Sequence, residues 1–117
     1  MVMIYKIFRS AEWSEFTKAG SFGGSVHDQR DGFIHMCARS QLSGTLAKHF
    51  SGDDELVLAA FNESHVKNLK WEISRGGEKF PHIYGPLPRS ALDGDWPLVK
   101  NGDGVFVLPF KPTAEIL

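Results

Sequence analysis

Glu55-Leu56-Val57-Leu58-Ala59-Ala60-Phe61 is the stretch on which the fold turns. Six apolar residues follow the glutamate without a break, so neither a helical period nor a strand's alternation leaves a wet face. A run this short, bounded by Gly52-Asp53-Asp54 and Asn62, reads as a strand buried on both sides and hence as the centre of a sheet. Layers on both sides must cover it.

Toward the N-terminus, Ser40 can cap a helix to about Phe50 that turns Leu42, Leu46, Ala47 and Phe50 to the core. Before it, Phe33 to Cys37 reads as a strand with Phe33, His35 and Cys37 on one face and Ile34 and Met36 on the other. Met3 to Phe8 reads as a first strand. Ser10 caps a short amphipathic helix carrying Trp13 and Phe16, which Gly20 ends. The glycine-rich stretch Ser21 to Gly32, with its charged run His27-Asp28-Gln29-Arg30-Asp31, has no sustained period and reads as a loop of functional length.

Toward the C-terminus, Asn62 caps a helical turn to Leu69, and Leu69 to Ser74 alternates so that Leu69, Trp71 and Ile73 oppose Lys70, Glu72 and Ser74. A loop from Arg75 to Lys79 precedes a strand, Phe80 to Tyr84, with Phe80, His82 and Tyr84 on one face. Gly85-Pro86-Leu87-Pro88 stops it. Turns at Asp93-Gly94 and Asn101-Gly102-Asp103-Gly104 flank a last strand, Val105 to Phe110. The expectation is a single α+β domain over residues 1–117, with a small mixed or antiparallel split sheet of about six strands and two to three short helices.

Composition agrees with one domain: 117 residues, 42% hydrophobic and 23% charged. Thirteen basic against fourteen acidic residues leave a net charge of −1, so no global field draws the chain to nucleic acid or to an anionic membrane, and neither is expected as a partner. The lone Cys37 cannot form an internal disulfide and reads as buried filler in a reducing compartment. With no leader pattern and no apolar run approaching about 18 residues, cytoplasm is the expected location.

Phosphate loops, dinucleotide fingerprints, zincin helices and paired-cysteine clamps are all missing from the sequence. What stands out is polar side chains on strands: His35, Glu72, His82 and Tyr84. If those strands are neighbours, two imidazoles, a carboxylate and a phenol line one cleft and supply acid/base groups near neutral pH. His35, Glu72 and His82 are the expected catalytic groups. Tyr84, Asp28, Gln41, Trp71 and Arg75 are the expected ligand contacts, Arg75 beside Gly76-Gly77 being able to close over an anion. Each has a plainer reading. The histidines can be satisfied structural donors, Glu72 a partner of Lys70 or Arg75, Trp71 a core residue, Asp28 and Asp31 turn formers, and Gln41 a polar filler at a helix start.

Asp31-Gly32-Phe33-Ile34-His35, Gln41 with Thr45, Lys48-His49-Phe50, Leu69-Lys70-Trp71-Glu72 and Phe80-Pro81-His82-Ile83-Tyr84-Gly85-Pro86-Leu87 occur together here. In this combination the chain closely resembles, over essentially its whole length, the bacterial family known as domain of unknown function 952 (DUF952). The family carries no assigned reaction. The resemblance implies a fold similar to the ADP-ribosyltransferase-like split sheet, in which an early-strand histidine grips a ribose, an aromatic stacks on nicotinamide and a late-strand glutamate orients the sugar. By that analogy His35, Tyr84, and Glu78 or Glu72 would take these roles and NAD would be the cofactor, although the order and spacing are not those of the transferases.

Three functional expectations follow. The first is a small-molecule, nucleotide-like site built on His35, Glu72, His82 and Tyr84. The second is a noncatalytic interaction module with structural histidines. The third makes His35, His82 and Glu72 ligands of a divalent cation. A pocket open to solvent beside His35 separates the first from the second.

Overall fold

The computed structural model describes residues 2–110, except for the side chain of Arg75. The elements run β1 (Met3–Arg9), α1 (Ser10–Ala19), β2 (Ser21–Phe22), α2 (Val26–Asp31), β3 (Ile34–His35), α3 (Leu42–His49), β4 (Glu55–Asn62), β5 (Leu69–Ile73), β6 (Lys79–Ile83), β7 (Leu87–Pro88) and β8 (Leu92–Val99). Short 3-10 turns join several of them. The α+β class holds, and among the described residues there are three α-helices, within the two to three expected, and eight strands rather than about six, every pairing of them antiparallel. The strands form three sheets, ordered β1-β4-β8, β2-β7 and β3-β6-β5.

β4 lies between β1 and β8, as its unbroken apolar run requires. One face of its sheet gives Ile4, Phe8, Ala59 and Phe61 to a core shared with α1, β2, β3 and β6. The other gives Tyr5, Ile7, Leu56, Leu58, Ala60 and Leu98 to a core closed by Leu42 and Leu46 of α3. The first core is aromatic: Phe8 stacks on Phe16 with ring centres 5.2 Å apart, and Trp13, Phe22 and Phe61 pack around them.

Ser21 to Gly32 is not a loop, because it holds β2 and α2. The Ser25 hydroxyl accepts from the Asp28 amide at 3.1 Å while the Asp28 carboxylate accepts from the Ser25 amide at 2.9 Å, a reciprocal cap that starts the helix. Gly32, at φ 86°, ends it in the left-handed region open to glycine.

Asp93-Gly94 is not a turn but lies within β8, whose residues alternate between half-buried and exposed up to Leu98. β8 is an edge strand, which tolerates Pro97. The expected strand Val105 to Phe110 is reduced to a single bridge, Lys100 to Phe106, with Phe106 filling the second core. The Leu69 face of β5 is the core side only at Leu69, which packs on the first core opposite Ile83; Trp71 is 37% and Ile73 71% exposed, so the face runs out past the core. β5 is an edge strand of its sheet.

The stretch Phe33 to Cys37 joins two sheets. Ile34 and His35 pair with β6, the Met36 amide donates to the Pro81 carbonyl at 3.0 Å, and Cys37 then exchanges two 2.8 Å backbone bonds with Tyr5 of β1. His35 therefore sits at the seam. Among the described residues no helix is long and apolar enough to cross a membrane.

Candidate functional site

β6 lies between β3 and β5, and its His82 is directly opposite His35 on one side and Lys70 on the other. Opposed residues of an antiparallel pair share a face, so the strand adjacency required for a common polar surface is present. The His35 and His82 ring centres are 5.7 Å apart, and Phe33 packs against both, at 4.7 and 4.0 Å. The polar residues divide into two hydrogen-bonded sets, one through His35 and one through His82, both of which touch the Phe33 ring.

The first set surrounds Asp28. This carboxylate is buried at the start of α2, where the cap fixes it. Its Oδ1 accepts from the His35 amide at 3.1 Å and faces His35 Nδ1 at 2.6 Å, while Oδ2 accepts from Lys6 Nζ at 2.8 Å. Lys6 also donates to the His35 carbonyl at 2.9 Å. Burial pushes the Asp28 carboxyl up, but the hydrogen bond from His35, the charge and hydrogen bond of Lys6 and the Ser25 amide outweigh it and hold it well below its ordinary value. A buried ion pair thus anchors one ring nitrogen of His35. The other, Nε2, is 3.0 Å from Asp31 Oδ2.

The second set is His82, Glu72 and Tyr84. Glu72 Oε1 is 2.8 Å from His82 Nδ1 and accepts from the Tyr84 hydroxyl at 2.6 Å. The Tyr84 hydrogen bond and then that of His82 lower the Glu72 carboxyl below its ordinary range, and the same bond to Glu72 raises the Tyr84 phenol. His82 is only 3% exposed beneath Phe33, whereas Tyr84 is open to solvent.

A cleft of about 190 Å³ opens beside His35, lined also by Arg9, Ser25, His27, Thr45 and His49, with Phe50 at its wall and Asp28 and Lys6 at its base. Glu72, His82 and Tyr84 do not line it. Gln41 is tied to backbone: its Oε1 accepts from the Ala38 amide at 2.9 Å and its Nε2 donates to the Lys79 carbonyl at 2.7 Å. Trp71 lines a separate groove with Met3, Tyr5 and Arg39, its Nε1 donating to Glu63 at 3.4 Å. The side chain of Arg75 lies outside the described residues.

His35, Glu72 and His82 do not converge as a cation set. Among the described residues, the group whose ligand atoms all lie within 4.8 Å is His27, Asp31 and His35. Sequence reasoning also missed Lys6. Its signal was a charged residue between Ile4 and Phe8 on the inward face of β1. Cys37 is buried as expected, its Sγ 3.2 Å from the Thr45 hydroxyl.

The chain matches, over residues 7–93, the family described as protein of unknown function DUF952. It is similar to the crystal structure of protein CC0527 from Caulobacter crescentus, at 45% identity and a TM-score of 0.84, over 90% of this chain and 93% of that one. The solution structure of CC0527 is also 45% identical, with a TM-score of 0.80 over 90% of this chain and 91% of that chain. No curated protein matches.

Proposed function

We propose, for a chain that belongs to the DUF952 family, that the cleft beside His35 binds an anionic, nucleotide-like small molecule in the cytoplasm. One observation carries this reading: a histidine pinned through Nδ1 by a buried carboxylate faces an open cleft whose rim also bears Arg9, His27 and His49. His35 is the group that meets the ligand, and as an imidazole it can accept or donate a proton there. Asp28 and Lys6 position it from behind. A volume of about 190 Å³ is below the ~300 Å³ at which whole-ligand pockets begin, so it suits a phosphate or ribose-phosphate end with the remainder lying outside.

NAD and ADP-ribose are the reference ligands, because the transferase-like analogy gives His35 the ribose, Tyr84 the nicotinamide and Glu72 or Glu78 the sugar-orienting role. Glu72 is already hydrogen-bonded to Tyr84, which makes the aromatic and the carboxylate one unit. The burial of His82 favours a second, structural reading for that residue: it braces Glu72 and supports Phe33.

The test is thermal unfolding with NAD, ADP-ribose or inorganic phosphate, all in EDTA. Ligand at about 100 times its dissociation constant stabilises by about 2.7 kcal/mol, a rise of several degrees for a domain of this size. A rise with NAD or ADP-ribose that His35→Gln abolishes supports the site. No rise with any of the three contradicts it.

A further inference from the structure

We infer that His27, Asp31 and His35 form a binding site for a first-row divalent cation of the zinc or iron(II) class at the mouth of the His35 cleft. The chain places them at intervals of four. His27 and Asp31 share one face of α2, and the turn at Gly32 brings His35 of β3 back to the same point. Asp31 Oδ2 is 3.0 Å from His35 Nε2 and 3.5 Å from His27 Nε2. Imidazole nitrogens and carboxylate oxygens bind zinc at about 2.0 to 2.2 Å, so two ligands on a tetrahedral ion stand about 3.4 Å apart. The two contacts bracket that spacing without an ion.

A second observation comes from behind the set. Asp28, buried and held by Lys6 and the Ser25 amide, engages His35 Nδ1 at 2.6 Å and leaves Nε2 facing Asp31. A carboxylate on the far nitrogen of a ligating histidine fixes ring orientation and raises ligand basicity, the usual support of a metal-bound imidazole. Two imidazoles and one carboxylate favour a borderline cation over calcium or magnesium, which take oxygen ligands. The three-ligand set leaves coordination positions for water or an anion.

Arg30 opposes loading. Its guanidinium stands 2.6 Å from His27 Nδ1, so that nitrogen accepts and a proton resides on Nε2, where the cation would bind. Arg30 also stands 3.6 Å from Asp31 Oδ1, and with 66% of its side chain exposed it has room to turn outward from both ligands. Loading therefore shifts the His27 proton from Nε2 to Nδ1, which then no longer accepts from Arg30, so the guanidinium is displaced. The inference stands on this geometry and not on the nucleotide reading.

The experiment uses untagged, chelator-stripped protein without nucleotide, titrated with Co²⁺ by visible absorption and with Zn²⁺ by calorimetry. The expected result is one equivalent with ligand-field bands. His27→Ala and Asp31→Asn, both at exposed positions, should each weaken binding by about tenfold or more with unfolding midpoints little changed. Arg30→Ala should tighten binding, and His65→Ala, in the exposed turn that follows β4 and outside the three-ligand set, should not alter it. No stoichiometric uptake, or uptake indifferent to His27→Ala and Asp31→Asn, overturns the inference. Either result leaves nucleotide binding in EDTA to be judged separately.

Discussion

Asp28 and His35 meet twice: the same Oδ1 accepts from the His35 amide at 3.1 Å and faces its Nδ1 at 2.6 Å. The backbone bond sets where the strand begins and the side-chain bond sets where the ring points. The start of α2 is thereby fastened to the seam between two sheets, with one imidazole nitrogen held inward and the other facing Asp31.

Breaking the ion pair behind this contact should be costly. Lys6→Met leaves Asp28 buried without its cation, and Asp28→Asn leaves Lys6 without its anion, so each should destabilise by about 3 to 5 kcal/mol in urea unfolding. The double variant should lose clearly less than the sum, because neither uncompensated charge then remains.

Acid should unfold the protein partly through Asp28. Its carboxyl lies well below the ordinary value of 3.8 in the folded state, so the unfolded chain takes up the proton first as pH falls. The stabilisation is fully present above about pH 4 and is lost progressively below it as pH approaches the folded-state value. The slope of stability against pH below 4 should be steep in the wild type and shallower in Asp28→Asn.

Tyr84 should titrate above its ordinary 10.0, because its ionisation breaks a bond to a carboxylate and sets two anions together. Glu72→Gln should bring the phenol back down, read by absorbance at alkaline pH. In Tyr84→Phe the carboxyl of Glu72 should rise toward its ordinary value, read by NMR titration.

Gly24 leaves room for Asp28. It sits at φ 112°, and a Cβ there would come 2.9 Å from the Asp28 Cβ. Gly24→Ala should destabilise by about 1 to 3 kcal/mol through backbone strain, and should weaken binding in the cleft by shifting Asp28 and with it His35. Measuring affinity and stability on the same variant checks whether the two losses come together.

Phe16 is central to the aromatic core, fully buried against Phe8, Trp13, Phe22 and Phe61. Phe16→Ala should cost about 3 to 5 kcal/mol in urea unfolding.

The parts legible in the sequence were those where patterning acts locally. The unbroken run of β4 marked the sheet centre, and alternation put His35 and His82 each on a face of its own strand, whereas that the two strands are neighbours came only with the fold. What was missed depended on partners. α2 is a six-residue helix begun by the Ser25-Asp28 cap, too short for periodicity to reveal. β8 contains Asp-Gly and a proline, which signal a turn except where a long neighbour such as β4 imposes pairing. Trp71 and Ile73 alternate like core residues, yet they lie on an edge strand whose face the core covers only at Leu69. The division of the polar residues around Phe33, and the part played by Lys6, needed the fold to bring β1 against α2.

The central claim is that the His35 cleft is a ligand site, and the most direct measurement is amide and imidazole NMR mapping during titration with ADP-ribose in EDTA. Saturable shifts concentrated at Ser25, His27, His35, Thr45 and His49, and absent in His35→Gln, are the predicted result. Unchanged spectra at millimolar ligand, or shifts centred away from these residues, would contradict it.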